Sequence, residues 1–250
     1  VVVQVDYIIE EPWALRLRVP YETKKRSAAI EIIDPATASD IEAMQRNLDL
    51  HHGETLLSGV RDLDLLASWH SHHWRIDGDF LAISFGTSLP TGETEENPYL
   101  AAASAEAHEH IQFGSGSYDP LLELFYARPV GMESTLALFA TGRFPVNENK
   151  EGYRGSNSIV AGFSISKPLS VDWQGSMGIV IQDEDHATWS GAIDPNTGYR
   201  AISAQIGLGH IDTGNRSWSL SLTIPISNEV KSGTGENYDP ATAVTIAVGF

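Results

Sequence analysis

The chain has 250 residues, no Cys, an apolar fraction of 42 % and a formal charge of −17. That excludes a disulfide framework and thiol chemistry, argues against nucleic acid as a partner, and leaves material for one large core or one large barrel. No run approaches the roughly 18 apolar residues of a membrane helix, but strands that alternate polar and apolar residues escape such a scan.

Period-two alternation marks strands near Val2–Ile9, Leu15–Tyr21, Leu63–Trp74, Phe80–Leu89, Leu121–Ala127, Thr135–Phe144, Ile159–Ser166, Val171–Gln182, Ala201–His210, Trp218–Ile226 and Ala243–Phe250. The last two are the clearest. Trp218, Leu220, Leu222, Ile224 and Ile226 share one face, as do Val244, Ile246, Val248 and Phe250, while the opposite faces carry Ser, Thr, Ala and Gly. An aliphatic and aromatic face suits lipid, and a small hydroxylic face suits a crowded, hydrated interior.

The connections alternate in length. Glu10–Ala14, Arg75–Asp79, Arg128–Ser134, Lys167–Ser170 and Ile211–Ser217 are short, and the others run from about twelve to about forty residues. Outer-membrane barrels have short periplasmic turns and long external loops, whereas a β-sandwich has no reason to sort its loops this way. The longest external loops are then 22–60 and 93–119. The first contains a short helix capped by Ser39, with Ile41, Met44 and Leu48 on one face. The second has an Ala-rich piece, Tyr99–His110, and a flexible return, Gly114-Ser115-Gly116-Ser117. Segments 93–119, 183–194 and 229–239 hold thirteen Asp and Glu against one basic residue, Lys231, so the negative charge belongs to loops.

Two further regularities fit a barrel. Trp13, Trp69, Trp74, Trp173 and Trp218 fall near the short-turn ends, where indole rings favour a membrane interface, and Trp189 falls in a long loop. Pro20, Pro90, Pro145 and Pro225 fall near the opposite ends, where the absence of an N–H is tolerated because pairing is ending. Eleven strands is an odd number, while bacterial single-chain barrels have even ones. A twelfth strand is therefore expected before Val1 or hidden in a loop, and the start on Val1 without a leader reads as a processed or truncated chain.

Val19-Pro20-Tyr21, Ser88-Leu89-Pro90-Thr91-Gly92, Gly114-Ser115-Gly116-Ser117-Tyr118-Asp119-Pro120, Asn149-Lys150-Glu151-Gly152-Tyr153-Arg154-Gly155, Pro195-Asn196-Thr197-Gly198 and the terminal Phe250 follow one another over nearly the whole chain. In this order the chain resembles the outer-membrane transporter family known as "MetA-pathway of phenol degradation". The resemblance implies a Gram-negative outer-membrane barrel that transports small aromatic or hydrophobic compounds. One departure is Gly59-Val60-Arg61-Asp62, where the family pattern has Gly-Leu-Gly-Asp.

If the aliphatic faces point to lipid, alternation turns Gln4, Asp6, Glu10, Arg16, Arg18, Asp64, Ser68, His70, His72, Glu123, Arg143, Asp172, Gln174, Gln182, Ser203 and Gln205 inward. The candidate solute path is taken from these: Asp6, Arg16, Arg18, Asp64, His70, His72, Glu123, Arg143, Asp172, Gln174 and Gln205. Asp6 lies on a strand adjacent to Arg16 and Arg18 and can pair with either. Such pairs either hold a narrow barrel shut or filter solutes by size and charge.

His70 and His72 share a strand face and offer two nitrogens to Zn²⁺ or Cu²⁺, and His51-His52 and His108-x-His110 are further clusters. The acidic loops are candidates for Ca²⁺ bridging to lipopolysaccharide. His70 and Ser71 are adjacent, which puts their side chains on opposite faces of a strand and defeats a Ser–His relay. Gly-x-Ser-x-Gly, a phosphate loop and His-Glu-x-x-His are all absent from the sequence, so a non-enzyme is expected.

The sequence thus predicts one all-β domain over 1–250, an antiparallel up-and-down transmembrane β-barrel of about twelve strands with eleven visible, in the bacterial outer membrane. Its function would be passive passage of a small solute, with outer-membrane lipid and lipopolysaccharide as surroundings. The alternatives are a closed scaffold barrel whose acidic loops bind a protein partner, and a soluble β-sandwich binding protein.

Overall fold

The computed structural model describes residues 1–27, 29–30, 32, 35–48, 54–104, 112–131, 133–211, 216–231 and 240–249. His51, His52, His108, His110 and Phe250 lie outside them. The strands are β1 (Val2–Glu10), β2 (Trp13–Arg26), β3 (Thr55–Val60), β4 (Leu63–His72), β5 (Phe80–Leu89), β6 (Pro120–Val130), β7 (Ser134–Arg143), β8 (Tyr153–Arg154), β9 (Ser158–Pro168), β10 (Trp173–Glu184), β11 (Thr188–Trp189), β12 (Ala192–Ile193), β13 (Tyr199–Ile211), β14 (Ser217–Val230) and β15 (Ala243–Gly249). Helices α1 (Ala38–Asn47) and α2 (Pro98–Ala103) sit in the long connections. Among the described residues no helix is long and apolar enough to cross a membrane, which leaves crossing by strands open.

One antiparallel sheet carries the fold, in the order β1-β2-β4-β5-β6-β7-β9-β10-β13-β14-β15, with β3 paired to β2. Every neighbour on this path is the next long strand in sequence, which is up-and-down topology. A small sheet of β12, β11 and β8 lies in the long loops. The main sheet rolls into a barrel: Val2, Arg18, Asp64, Arg143, Gln182 and Tyr199, spread from β1 to β13, line one common cavity. Among the described residues β1 and β15 are the two ends of the order and do not pair with each other.

Packing is inverted relative to a soluble sandwich. The buried apolar residues are few, chiefly Leu66, Leu81, Leu121, Phe113 and Trp189, while Leu15, Leu65, Phe85, Leu122, Phe163, Met177, Ile206 and Ile246 are exposed. Successive residues of a strand point to opposite faces, so these outward side chains form an apolar belt around the sheet.

Several boundaries differ from the sequence reading. β2 and β3 pair residues 21–26 with 55–60, so strand pairing extends at both ends into the segment 22–60 that the sequence reads wholly as loop. β3 and β4 form one strand broken at Arg61-Asp62, where the register against β2 shifts by one. Pro20 sits at that break, and Pro225 sits at the shift between Ile202 and Ser203. Both strands continue beyond their prolines, because a register shift removes the need for the missing donor. Only Pro90 and Pro145 follow strand ends. The cap of α1 is Thr37 rather than Ser39: its hydroxyl accepts from the Asp40 N–H at 3.3 Å, and Asp40 Oδ2 accepts from the Thr37 N–H at 2.9 Å. Trp13 faces Trp69 across the ladder at the short-turn end, and Trp189 lies in β11.

Candidate functional site

The inward side chains of β1 to β7 form three levels, from the long-loop end to the short-turn end. At the top, Arg143 Nη2 donates to Asp64 Oδ1 at 2.8 Å and Nη1 to Asp119 Oδ2 at 3.4 Å. Asp119 is 1 % exposed and also accepts from the Ser117 hydroxyl at 2.7 Å. Asp62, at the break between β3 and β4, accepts from the Gly92 N–H at 3.0 Å and from the Ser115 N–H and hydroxyl at 2.7 Å each. Gly92 and Gly114 touch so closely that a Cβ on Gly114 would lie 2.4 Å from the Gly92 carbonyl oxygen. Asn149 Nδ2 donates to the Ser115 carbonyl at 3.0 Å. Three turn motifs, distant in sequence, thereby fold together at one rim. They fix the segment 112–119 over the lumen, where Gln112, Phe113 and Tyr153 join Arg18, Gln182 and Glu184 around a vestibule of about 560 Å³. Burial there pushes the Tyr153 hydroxyl above its ordinary range.

The middle level is an ion cluster. Register places Asp6 opposite Arg16 and Gln4 opposite Arg18. Arg16 donates from Nε to Asp6 Oδ1 at 2.7 Å and from Nη1 to Glu123 Oε2 at 3.3 Å. Arg18 grips Glu123 with both terminal nitrogens, Nη1 to Oε1 and Nη2 to Oε2, the latter at 3.0 Å, and donates from Nε to Gln4 Oε1 at 2.9 Å. Gln4 closes the ring with a 2.8 Å bond to Asp6 Oδ2. Glu123 is on β6, so the two guanidiniums reach from β2 past β4 and β5. The ladder positions between are Ser68 and Ser84, and Leu66 and Gly86. A Cβ on Gly86 would lie 2.0 Å from the Leu65 carbonyl oxygen, so glycine alone fits this bend.

Beneath the cluster lies a cavity of about 580 Å³ bounded by Arg16, His70, His72, Phe80, Phe125 and Phe139. Its rings interlock: His72 and Phe80 centroids are 5.0 Å apart, and Phe80 and Phe125 meet edge-on at 6.1 Å. His70 Nε2 is 3.3 Å from Glu11 Oε2, and the His70 and His72 rings are 5.6 Å apart. Among the described residues no group of three or more His, Asp or Glu is assembled to hold a metal, so an ion at His70 and His72 would need a ligand from elsewhere.

The opposite wall, β9 to β15, carries many small residues at its inward positions, among them Gly162, Ser164, Gly178, Ser203, Gly207, Ser221 and Thr245, alongside Val160, Val180, Gln182 and Glu184. Gln205 stands in this wall between Gly178 and Thr223, far along the sheet from the ion cluster. Asp172 lies in the exposed turn before β10 rather than on the strand. Gln174 and Asp172 border a cavity of about 600 Å³ at the short-turn end, beside Trp173, His210 and Trp218.

This barrel, an apolar exterior around a polar and aromatic interior, has a counterpart among solved structures. It shares its fold with an outer-membrane channel. The chain is similar to the crystal structure of the COG4313 outer membrane channel from Pseudomonas putida F1, with a TM-score of 0.63 at 14 % identity over 99 % of this chain and 82 % of that one. No family model matches the chain, and no curated protein is similar to it. The likeness establishes the barrel and removes the β-sandwich reading.

Sequence periodicity brought Asp6, Arg16, Arg18, Asp64, Glu123 and Arg143 to one face, and the structure joins them into two adjacent networks. It did not find Asp62, Asp119 or Ser115, which lie in loops without periodicity. It also assigned apolar residues to lipid, and so passed over Phe80, Phe125 and Phe139. The signal was present in parity, because Phe125 is two residues from Glu123 and Phe80 is eight from His72 across a tight turn.

Proposed function

We propose that this protein is a passive channel of the bacterial outer membrane for a small aromatic or hydrophobic solute. One observation carries this reading: a barrel with an exposed apolar belt encloses, in series, a polar vestibule, a charge-balanced ion cluster and a cavity bounded by three phenylalanines. The belt would be covered by lipid, because contiguous apolar surface of this extent is not left in water. The long-loop rim would then meet lipopolysaccharide. The neighbour's description as an outer membrane channel supports passage rather than catalysis.

A planar ring suits the lower cavity because Phe80, Phe125 and Phe139 offer edges and faces for stacking, while Arg16 and His70 can hydrogen-bond a hydroxyl or carboxylate. The test is uptake by proteoliposomes of a small aromatic acid and of an aliphatic acid of equal size. The aromatic acid should enter faster, and Phe125→Ala with Phe139→Ala should narrow the difference. Vesicles that hold folded protein and admit neither solute would contradict the channel, and would favour a closed scaffold whose loops engage a partner.

A further inference from the structure

We infer that Glu123 acts as a clasp that sets the charge selectivity of the lumen, an inference that rests on the channel reading. The middle level contains two cations, Arg16 and Arg18, and two anions, Asp6 and Glu123, so its charge is balanced. The pairing is uneven. Arg16 has two carboxylates, Asp6 and Glu123, whereas Arg18 has Glu123 and the neutral Gln4. Glu123 is thus the sole carboxylate bonded to Arg18 in this cluster, and it holds both guanidiniums along the wall between β2 and β6. The Glu123 side chain is 16 % exposed and those of Arg16 and Arg18 are 24 % and 22 % exposed, so the charges are shielded from bulk water but still border the path. In a narrow, low-dielectric lumen one uncompensated charge governs which ion enters.

Removing either carboxylate changes the net charge by one, but with different consequences. Glu123→Gln strips Arg18 of its bonded carboxylate, leaving the neutral Gln4 as its partner in the cluster, and so leaves an uncompensated cation beside the lumen. Asp6→Asn leaves both arginines on Glu123. Charge alone predicts equal effects; a clasp predicts unequal ones.

The experiment is the reversal potential of single channels in a salt gradient, with each variant first shown to be folded by its heat-dependent migration in detergent gels. Glu123→Gln should raise the anion-to-cation permeability ratio several-fold, Asp6→Asn should move it little, and Arg18→Gln should swing it towards cations. The double variant Glu123→Gln/Arg18→Gln should return to the wild-type ratio. A Glu123→Gln ratio equal to wild type, or equal shifts from Glu123→Gln and Asp6→Asn, would overturn the clasp while leaving the channel intact. If Glu123→Gln does not fold, an unchanged ratio in Arg18→Gln overturns it instead. Folded wild type and variants that are all silent would overturn the channel reading and the clasp with it.

Discussion

At the scale of single residues, the fold depends on polar groups placed where water cannot serve them. Asp79, 2 % exposed, closes the turn between β4 and β5: its Oδ2 accepts from the N–H of Arg75 at 3.0 Å, from that of Ile76 at 3.2 Å and from the Tyr126 hydroxyl at 3.2 Å. Burial alone would raise the Asp79 carboxyl, but the donors from Arg75, Ile76, Trp74 and Tyr126 outweigh it and hold the carboxyl below its ordinary range. A lowered folded pKa means the contribution is complete above the unfolded value of about 4 and is lost as pH falls through the folded value. Asp79→Asn should therefore lower the urea midpoint of the vesicle-inserted protein at neutral pH, and the gap from wild type should close in acid. A gap unchanged at low pH would show that shape, not charge, sets the turn. Nothing in the sequence marks Asp79 out from other turn aspartates, because its donors include Tyr126, 47 residues away.

At the scale of elements, the loop–rim contacts hold one loop segment against the long-loop end of the barrel. Asp62 holds both Gly92 and Ser115, and Asp119 ties the same segment to Arg143, so the chain from Phe113 to Asp119 is fixed over the lumen by side chains of β4 and β7 or their flanks. Asp62→Ala removes the anchor of two backbone N–H groups and should widen or destabilise this cover. The expected outcome is a larger or noisier unitary current from a barrel of unchanged thermal stability, since the strand ladder is untouched. An unchanged current would mean that the middle ion cluster alone limits conduction. The strands themselves were legible in the sequence because period two extends through each of them, and the short turns followed from their lengths. Their long-loop ends were not: β2 runs on to Arg26 and β14 to Val230, past prolines that read as terminators. The ladder tolerates those prolines only through register shifts, which depend on the partner strand and leave no mark on the proline's own segment.

At the scale of the whole molecule, the distribution of polarity is the central fact. Leucine, isoleucine, valine and phenylalanine stay exposed on the outside, while arginine, aspartate and glutamate pair inside, the reverse of a soluble domain of this size. The sequence carried this inversion as a small hydroxylic face opposite an aliphatic one, most plainly in β14 and β15. It could not carry the asymmetry of the lumen, in which the ion cluster and phenylalanines of β1 to β7 face a wall from β9 to β15 with many small residues, because that needs the sheet to be rolled. The division of the interior into vestibule, ion cluster and aromatic cavity follows from that rolling, and it is the path that the proposed channel would offer a small solute. The most direct test is the current through single copies of the wild-type protein inserted in a planar bilayer. Discrete steps, reduced by a small aromatic acid added to the bath, are the predicted result; silence from protein shown to be folded and inserted would contradict an open lumen.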